Sequence, residues 1–349
     1  MTLFSFIFAM LLEQVRPIRD ESRLGSWVGN LLLKAERATS TGERLSAFWT
    51  WVALVIGGTL LVWLLVSVLG RIHFLLGFIA TVGVLYLTIG FRQFSNRFTE
   101  IQLALANNDL DRARAELVKW REHSGGDDMT RIASESGDVC AICREAIRLA
   151  LVGAQRHVFG VIFWFVILPG PAGAVLYRLA AEARRVWADT RDMPPDPSAV
   201  TDASSLAVAN PFGEFAVRAF AWIDWIPSRV TAIVFAVVGN FEDAILMWRK
   251  RSGFWPHAND TERVVLSAGE GAMGVRLSLP EGHATSVHVD DGSEETEALG
   301  GAWPSLSQEV AELREADENA LRSAVGLVWR SVIVWITLML LVSIGHWLG

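Results

Sequence analysis

The most chemically dense stretch of the chain is Asp224-Trp225-Ile226-Pro227-Ser228-Arg229. Proline suits the first turn of a helix, where its missing N–H loses nothing, and Asp224 is spaced to cap the free N–H groups there. Arg229 then stands at the mouth of the apolar stretch Val230–Gly239. A helix N-terminus joined by an arginine is an anion site, phosphate included. The bland alternative is an Asp224–Arg229 pair that only holds structure. Gln155-Arg156-His157 leads into a second apolar stretch, Val158–Leu168. Arg156 reads either as an anion contact or as an interfacial residue whose stem lies along apolar surface. His157 has a side chain that titrates near neutrality in water, though a lone histidine is also a common structural residue. Glu13 ends the mostly apolar Thr2–Leu12 and is either a functional carboxylate or a marker of the membrane boundary. Glu242 and Asp243 follow Gly239-Asn240, as cation ligands or as a solvated helix end. Cys140 and Cys143 form a single CxxC with no second CxxC or HxxxH, so they read as packing residues and no metal site is assigned.

These groups need positioning elements, and the composition says where those elements lie. The chain has 349 residues, 52% hydrophobic and 20% charged, with fifteen Trp beside two Tyr. Its mean hydropathy is +0.33. Such values point to membrane spans, and tryptophan favours the membrane–water interface. The net charge of −7 argues against nucleic-acid binding. Two cysteines are too few for a disulfide-stapled secreted fold. An ordinary cytosolic enzyme and a collagen-like chain are excluded as well.

Phe48–Leu69 is uncharged over 22 residues, roughly 33 Å as a helix, enough to cross a bilayer core. Gly57 and Gly58 sit mid-span, where a neighbouring helix can approach closely. After a short turn at Arg71 and His73, Phe74–Phe91 completes a helical hairpin, and Ser331–Leu348 is a third span. Thr2–Leu12 is too short to cross. It lacks a basic start and a cleavage site, so it reads as a half-inserted or packed helix. Val158–Leu168 ends at Pro169-Gly170-Pro171 and Ala172–Ala181 resumes, which reads as a re-entrant helix–turn–helix. Val230–Gly239 reads as an apolar half-helix entered through Pro227. Lys and Arg are dense in 13–47 and 92–157, while the loop 70–73 holds only Arg71; the positive-inside rule puts the dense segments in the cytoplasm. Both flanks of the 158–181 region are then cytoplasmic.

The expected organisation is all-α and polytopic: an integral membrane protein with re-entrant or short helices and cytoplasmic helical segments. Residues 1–91 form the N-terminal short helix and transmembrane hairpin, and 92–157 a cytoplasmic helical segment. Residues 158–248 are re-entrant or membrane-associated helices carrying the DWIPSR motif. Residues 249–330 are cytoplasmic, with an acidic flexible loop at 281–305, and 331–349 form the C-terminal transmembrane helix. Within 92–157, the pattern over 95–122 gives two amphipathic helices broken at Asn107-Asn108-Asp109, with Asp109 as an N-cap.

Several stretches, taken in order, resemble the cobalamin-biosynthesis membrane proteins called CobD or CbiB and their relative AmpE. The opening MTLFSFIFAMLLEQ is similar to the AmpE opening, and Trp27-Val28-Gly29 to a Trp-Ile-Gly-like stretch. ALANNDLDRARAEL resembles the family's Gly-Asp-Leu helix pair. Phe163-Trp164, Gly170–Gly173 and Tyr177-Arg178 follow the Pro-Leu-Phe-Trp region. Asp224–Thr231 (DWIPSRVT) resembles the Ile-Pro-Ala-Arg-Leu-Thr motif, and Gly271–Leu277 (GAMGVRL) the Gly-Ala-Leu-Gly-Val-Arg-Leu motif.

The resemblance implies adenosylcobinamide-phosphate synthase-like chemistry in a bacterial-type cytoplasmic (inner) membrane. Cobyric acid is joined to aminopropanol phosphate, with Mg and ATP as cofactors if the chain is catalytic. It implies Arg156, Asp224, Arg229 and Arg276 as binders of phosphates or of corrinoid carboxylates, with Glu13, His157 and Glu242 as further candidates. Partners are then the lipid bilayer, a corrinoid substrate and other membrane proteins. The chain departs from the family at its acidic groups. A run of the form Glu-Ser-x-x-Glu-Asn-x-x-Asp-Gly falls on Arg148-Leu149, Val152-Gly153 and Arg156-His157, and paired aspartates fall on Phe220 and Ala221. Loss of those carboxylates removes Mg–ATP binding if they provide it. The expectation is a diverged member, and the alternative is a non-catalytic, AmpE-like membrane regulator.

Overall fold

The computed structural model describes residues 2–15, 23–39, 44–124, 138–189, 211–251, 260–277 and 313–348. Among them the chain is all-α and polytopic, and its one extended pairing is an isolated bridge between Val275 and Arg314. In chain order the helices are α1 (Thr2–Val15), α2 (Arg23–Thr39), α3 (Arg44–Trp51), α4 (Gly57–Ile72), α5 (Phe74–Thr88), α6 (Phe91–Ala106) and α7 (Leu110–Ser124). Then come α8 (Val139–Ala154), α9 (Gly160–Ile167), α10 (Ala172–Asp189), α11 (Pro211–Val238), α12 (Phe241–Arg251), α13 (Asp260–Met273) and α14 (Glu318–Leu348). Single π-helical turns, Val52–Ile56 and Gln155–Phe159, join α3 to α4 and α8 to α9 without breaking either rod. The acidic segment 281–305 lies outside the described residues.

Among the described residues, four helical stretches are long and apolar enough to cross a membrane: Leu45–Ile72, Val139–Ile167, Pro211–Val238 and Glu318–Gly345. Leu45–Ile72 turns Leu60, Leu61, Leu64, Leu65 and Val68 outward, a surface that only an apolar solvent suits. Its hairpin partner is shorter than the sequence pattern suggests. The backbone turns extended at Ile89, so α5 covers 15 residues and Phe91 starts the next helix. The close approach within this hairpin is Gly70 on Gly77, where a Cβ would meet the facing backbone. Gly58 faces Leu179 of α10, and Gly57 has nothing near it.

α1 buries the stripe Leu3, Phe6, Ala9 and Glu13, a helical spacing, against α5, α6 and α14, and turns Phe4, Phe8 and Leu11 outward. The α6–α7 pair breaks at Asn107–Asp109 as the pattern predicts. Asn108 takes φ +55, and Asp109 Oδ1 accepts from the Arg112 N–H at 3.1 Å. This pair packs on α8, as does α14.

Two proline-marked sites resolve differently from expectation. At Pro169-Gly170-Pro171 the helix does end and reverse, with Gly170 at φ +65. The incoming arm, however, is the tail of one rod that begins at Val139. At Pro227 no helix starts: the residue lies inside the 28-residue α11. The Asp224 side chain therefore cannot cap an N-terminus. A buried apolar surround and helix on both sides outweigh the one hydrogen bond that proline removes.

Candidate functional site

The site is built around the π turn Gln155–Phe159. In such a turn the backbone bond spans five residues, and Gly160 N–H donates to the Gln155 carbonyl. Its first three side chains fan out to three different helices. Gln155 Nε2 donates to Asp224 Oδ1 of α11 at 2.7 Å. Arg156 pairs with Glu262 Oε1 of α13. His157 Nδ1 lies 2.9 Å from Arg178 Nη1 of α10. A guanidinium only donates, so Nδ1 accepts and His157 is neutral in this contact.

α10 supplies the opposite wall. Tyr177 and Arg184 are two turns apart on one face. The Tyr177 hydroxyl donates to Asp224 Oδ1 at 2.8 Å, so one carboxylate oxygen takes two buried donors. Arg184 donates to Glu262 Oε1 at 2.7 Å, giving that oxygen two guanidiniums. Phe220 fills the space between: its ring centroid is 5.4 Å from that of Tyr177 and 5.6 Å from the Arg184 guanidinium carbon. Where the family resemblance expects an aspartate, an aromatic ring thus supports an arginine. Gly160 lets the Tyr177 ring in, because a Cβ there would overlap its Cζ and hydroxyl. On the next face of α10, Arg185 pairs with Glu182.

Burial alone would raise the Glu262 pKa, but the Arg156 and Arg184 charges overcome that and hold it at about 2. A carboxylate whose folded pKa lies below its unfolded value of 4.5 adds stability fully above that value. The contribution fades as pH falls from 4.5 toward 2. The stability difference between the protein and its Glu262→Gln variant should therefore be constant from pH 8 to about pH 5 and shrink below about 4.5. Urea titrations in detergent at a series of pH values check this.

Of the residues singled out by sequence, Arg156 and Asp224 meet here. Arg229 lies one turn and a half further along α11, within electrostatic reach of Asp224 and Asp260. It stacks on its own neighbour Trp225 at 4.3 Å and donates to the Trp225 carbonyl at 3.1 Å. His157 flanks the cluster. Arg276 lies in a separate clasp: its N–H donates to the Arg314 carbonyl at 2.8 Å and its guanidinium pairs with Glu315 at 3.0 Å. Glu13 is buried on α1, among helices α5, α6 and α14. Glu242 is exposed at the start of α12. Cys143 is buried and Cys140 half-buried in the first turns of α8, consistent with packing. Glu262, Arg184 and Tyr177 complete the site without having been assigned to it from sequence. Only the seven-residue spacing of Tyr177 and Arg184 hinted that they share a face.

A Mg²⁺ ion does not fit this donor set. Among the described residues no group of three His, Cys, Asp or Glu side chains could hold a metal. One oxygen of Asp224 already takes two neutral donors, and Glu262 Oε1 takes two cations. What the arrangement offers is a partly exposed, arginine-rich cluster: Arg156, Glu262 and Arg184 keep 18%, 28% and 17% of their side-chain surface exposed.

No family model matches the chain, and no solved structure matches it. Two curated proteins do. It is 28% identical over 313 residues to a cobalamin biosynthesis protein CobD of Stutzerimonas stutzeri, covering 89% of this chain and 86% of that one. It is 31% identical over 203 residues to a cobalamin biosynthesis protein CobD of Chromobacterium violaceum, covering 58% of this chain and 56% of that one. Near end-to-end similarity, an all-α membrane architecture and the ordered motifs agree. Over most of its length the chain is similar to CobD proteins of the CobD/CbiB type, the cobalamin-biosynthesis membrane proteins.

Proposed function

We propose that this chain is a diverged, adenosylcobinamide-phosphate synthase-like protein of the bacterial inner membrane, acting where cobyric acid is joined to aminopropanol phosphate. The observation that carries the reading is the pair of arginines, Arg156 and Arg184, meeting on one partly exposed carboxylate. Two convergent guanidiniums are suited to a phosphate monoester or a propionate-type carboxylate, both of which these precursors bear. The helices around them limit water, so each charge-assisted contact is stronger than in solution. In this reading the rods ending at the Pro169-Gly170-Pro171 turn form a re-entrant hairpin. It brings Arg156, Tyr177 and Arg184 to the cytoplasmic side, where soluble substrates arrive. The chain's own residues bind and orient; no step is assigned to a metal or to ATP.

The test is reconstitution of the full chain in proteoliposomes with cobyric acid, aminopropanol phosphate and Mg²⁺–ATP. The amide product is followed by mass spectrometry, and corrinoid binding by visible absorbance. Amide formation supports the reading in full. Corrinoid binding without product supports a binding protein that has lost the chemistry. Neither product nor corrinoid binding overturns it, and leaves the AmpE-like regulator.

A further inference from the structure

Two cations converge on a single carboxylate oxygen in the Arg156–Glu262–Arg184 triad, leaving one net positive charge. Each guanidinium has five N–H donors, and the contacts to Glu262 use only part of that capacity. The carboxylate stands in the first turn of α13, where backbone N–H groups and the helix dipole also favour a negative charge. All three side chains keep some exposed surface, so a small solute can reach them. Everything that would seat an external anion is therefore present, and an anion from the chain itself sits in it.

We propose that Glu262 is a built-in surrogate anion that occupies the seat of a substrate phosphate monoester and is displaced from Arg156 and Arg184 when that phosphate arrives. The proposal rests on the anion-binding reading of the site given above and adds how the seat is guarded. Glu262 remains ionised throughout the physiological range, since the two arginines hold its pKa at about 2. Protonation thus cannot release it, and competition by a better anion can. A phosphate monoester brings up to two charges and three acceptor oxygens against one charge and two oxygens, so it can serve both forks at once. Monovalent anions such as chloride or acetate gain nothing over the resident carboxylate. The latch makes the seat selective by requiring a displacement.

The test uses the full chain in detergent, with aminopropanol phosphate and inorganic phosphate as probes in calorimetric titrations. Glu262→Gln keeps the shape and removes the competitor, so it should bind aminopropanol phosphate about tenfold more tightly than the unaltered protein, the scale of a single charge-assisted hydrogen bond. Adding Arg156→Gln to that variant should abolish the gain. Should Glu262→Gln fold poorly, its melting temperature should be restored by phosphate more than the unaltered protein's is raised. Glu262→Asp, with a shorter reach, should show an intermediate gain. Unchanged or weaker phosphate affinity in both variants overturns the latch. The two proposals fail separately. Amide formation by the unaltered protein with no affinity gain in Glu262→Gln sinks the latch alone. Absent amide formation with the gain present leaves the latch standing. If inorganic phosphate gains as much as aminopropanol phosphate, the seat reads the phosphate group itself.

Discussion

Arg156→Met should lower the unfolding free energy by about 2–3 kcal/mol, somewhat less than the 3–5 typical of a fully buried broken pair because the triad is partly exposed. It should also abolish phosphate and corrinoid binding. The stability loss arises mainly from what remains: Glu262 keeps one guanidinium instead of two, in a setting where burial penalises its charge. That cause makes a sharper prediction than the single substitution does. If the whole triad is replaced, as in Arg156→Met with Arg184→Met and Glu262→Met, none of its own charges is left stranded, and the neighbouring Asp224 keeps its Gln155 and Tyr177 donors. Stability should return to within about 1 kcal/mol of the unaltered protein, since apolar side chains of similar volume often substitute for a buried ion cluster without loss. Binding should stay absent. Denaturant titrations beside ligand titrations separate the two effects. A triple variant as unstable as the single one would mean that the triad holds the helices together through specific geometry and not merely through charge balance.

The triad also shows what the amino-acid sequence made legible and where it stopped. Composition and run lengths suffice for an all-α membrane protein, because a bilayer demands long uncharged helices. The Asn107–Asp109 break and the Pro169-Gly170-Pro171 reversal were equally readable, since both rest on local backbone chemistry. Pro227 misled for the same reason: a local rule predicts a helix start, while tertiary packing carries α11 straight through. The π turn at Gln155–Phe159 has no local signature, yet it determines that three consecutive residues face three helices. Glu262 lies 106 residues from Arg156 in the chain, and nothing in either stretch announces the pairing.

Charge bookkeeping across the fold accounts for part of what the family resemblance left open. An arginine stands at position 156, where the family's run has an aspartate, and Phe220 stands where an aspartate is expected. In the folded chain these departures are coupled. Phe220 lies under the Arg184 guanidinium, and Arg184 and Arg156 share Glu262. The acidic groups are not simply lost from the site; one carboxylate now comes from α13, already engaged by two arginines.

The second large effect is expected at Gly160. Gly160→Ala puts a methyl group where the Tyr177 ring lies, and Phe220 packed against that ring opposes its retreat. Overpacking of this kind costs about 1–3 kcal/mol. Displacing the Tyr177 hydroxyl also takes one of the two donors from Asp224 Oδ1, and weakened satisfaction of a buried acceptor adds about 1–3 kcal/mol. The total, about 2–6 kcal/mol, is large for adding one carbon. A double-mutant cycle isolates the cause. On a Tyr177→Ala background the methyl group meets empty space, so Gly160→Ala should cost less than about 1 kcal/mol there, leaving a coupling energy well above the few tenths expected of independent sites. Tyr177→Phe keeps the ring and removes only the hydroxyl. It should therefore lose the Asp224 contact while keeping the overpacking part of the Gly160→Ala cost, about 1–3 kcal/mol. If Gly160→Ala costs the same on all three backgrounds, the glycine serves the backbone of the π turn instead of making room for the ring. The Tyr177–Asp224 contact would then not depend on the absence of a side chain at position 160.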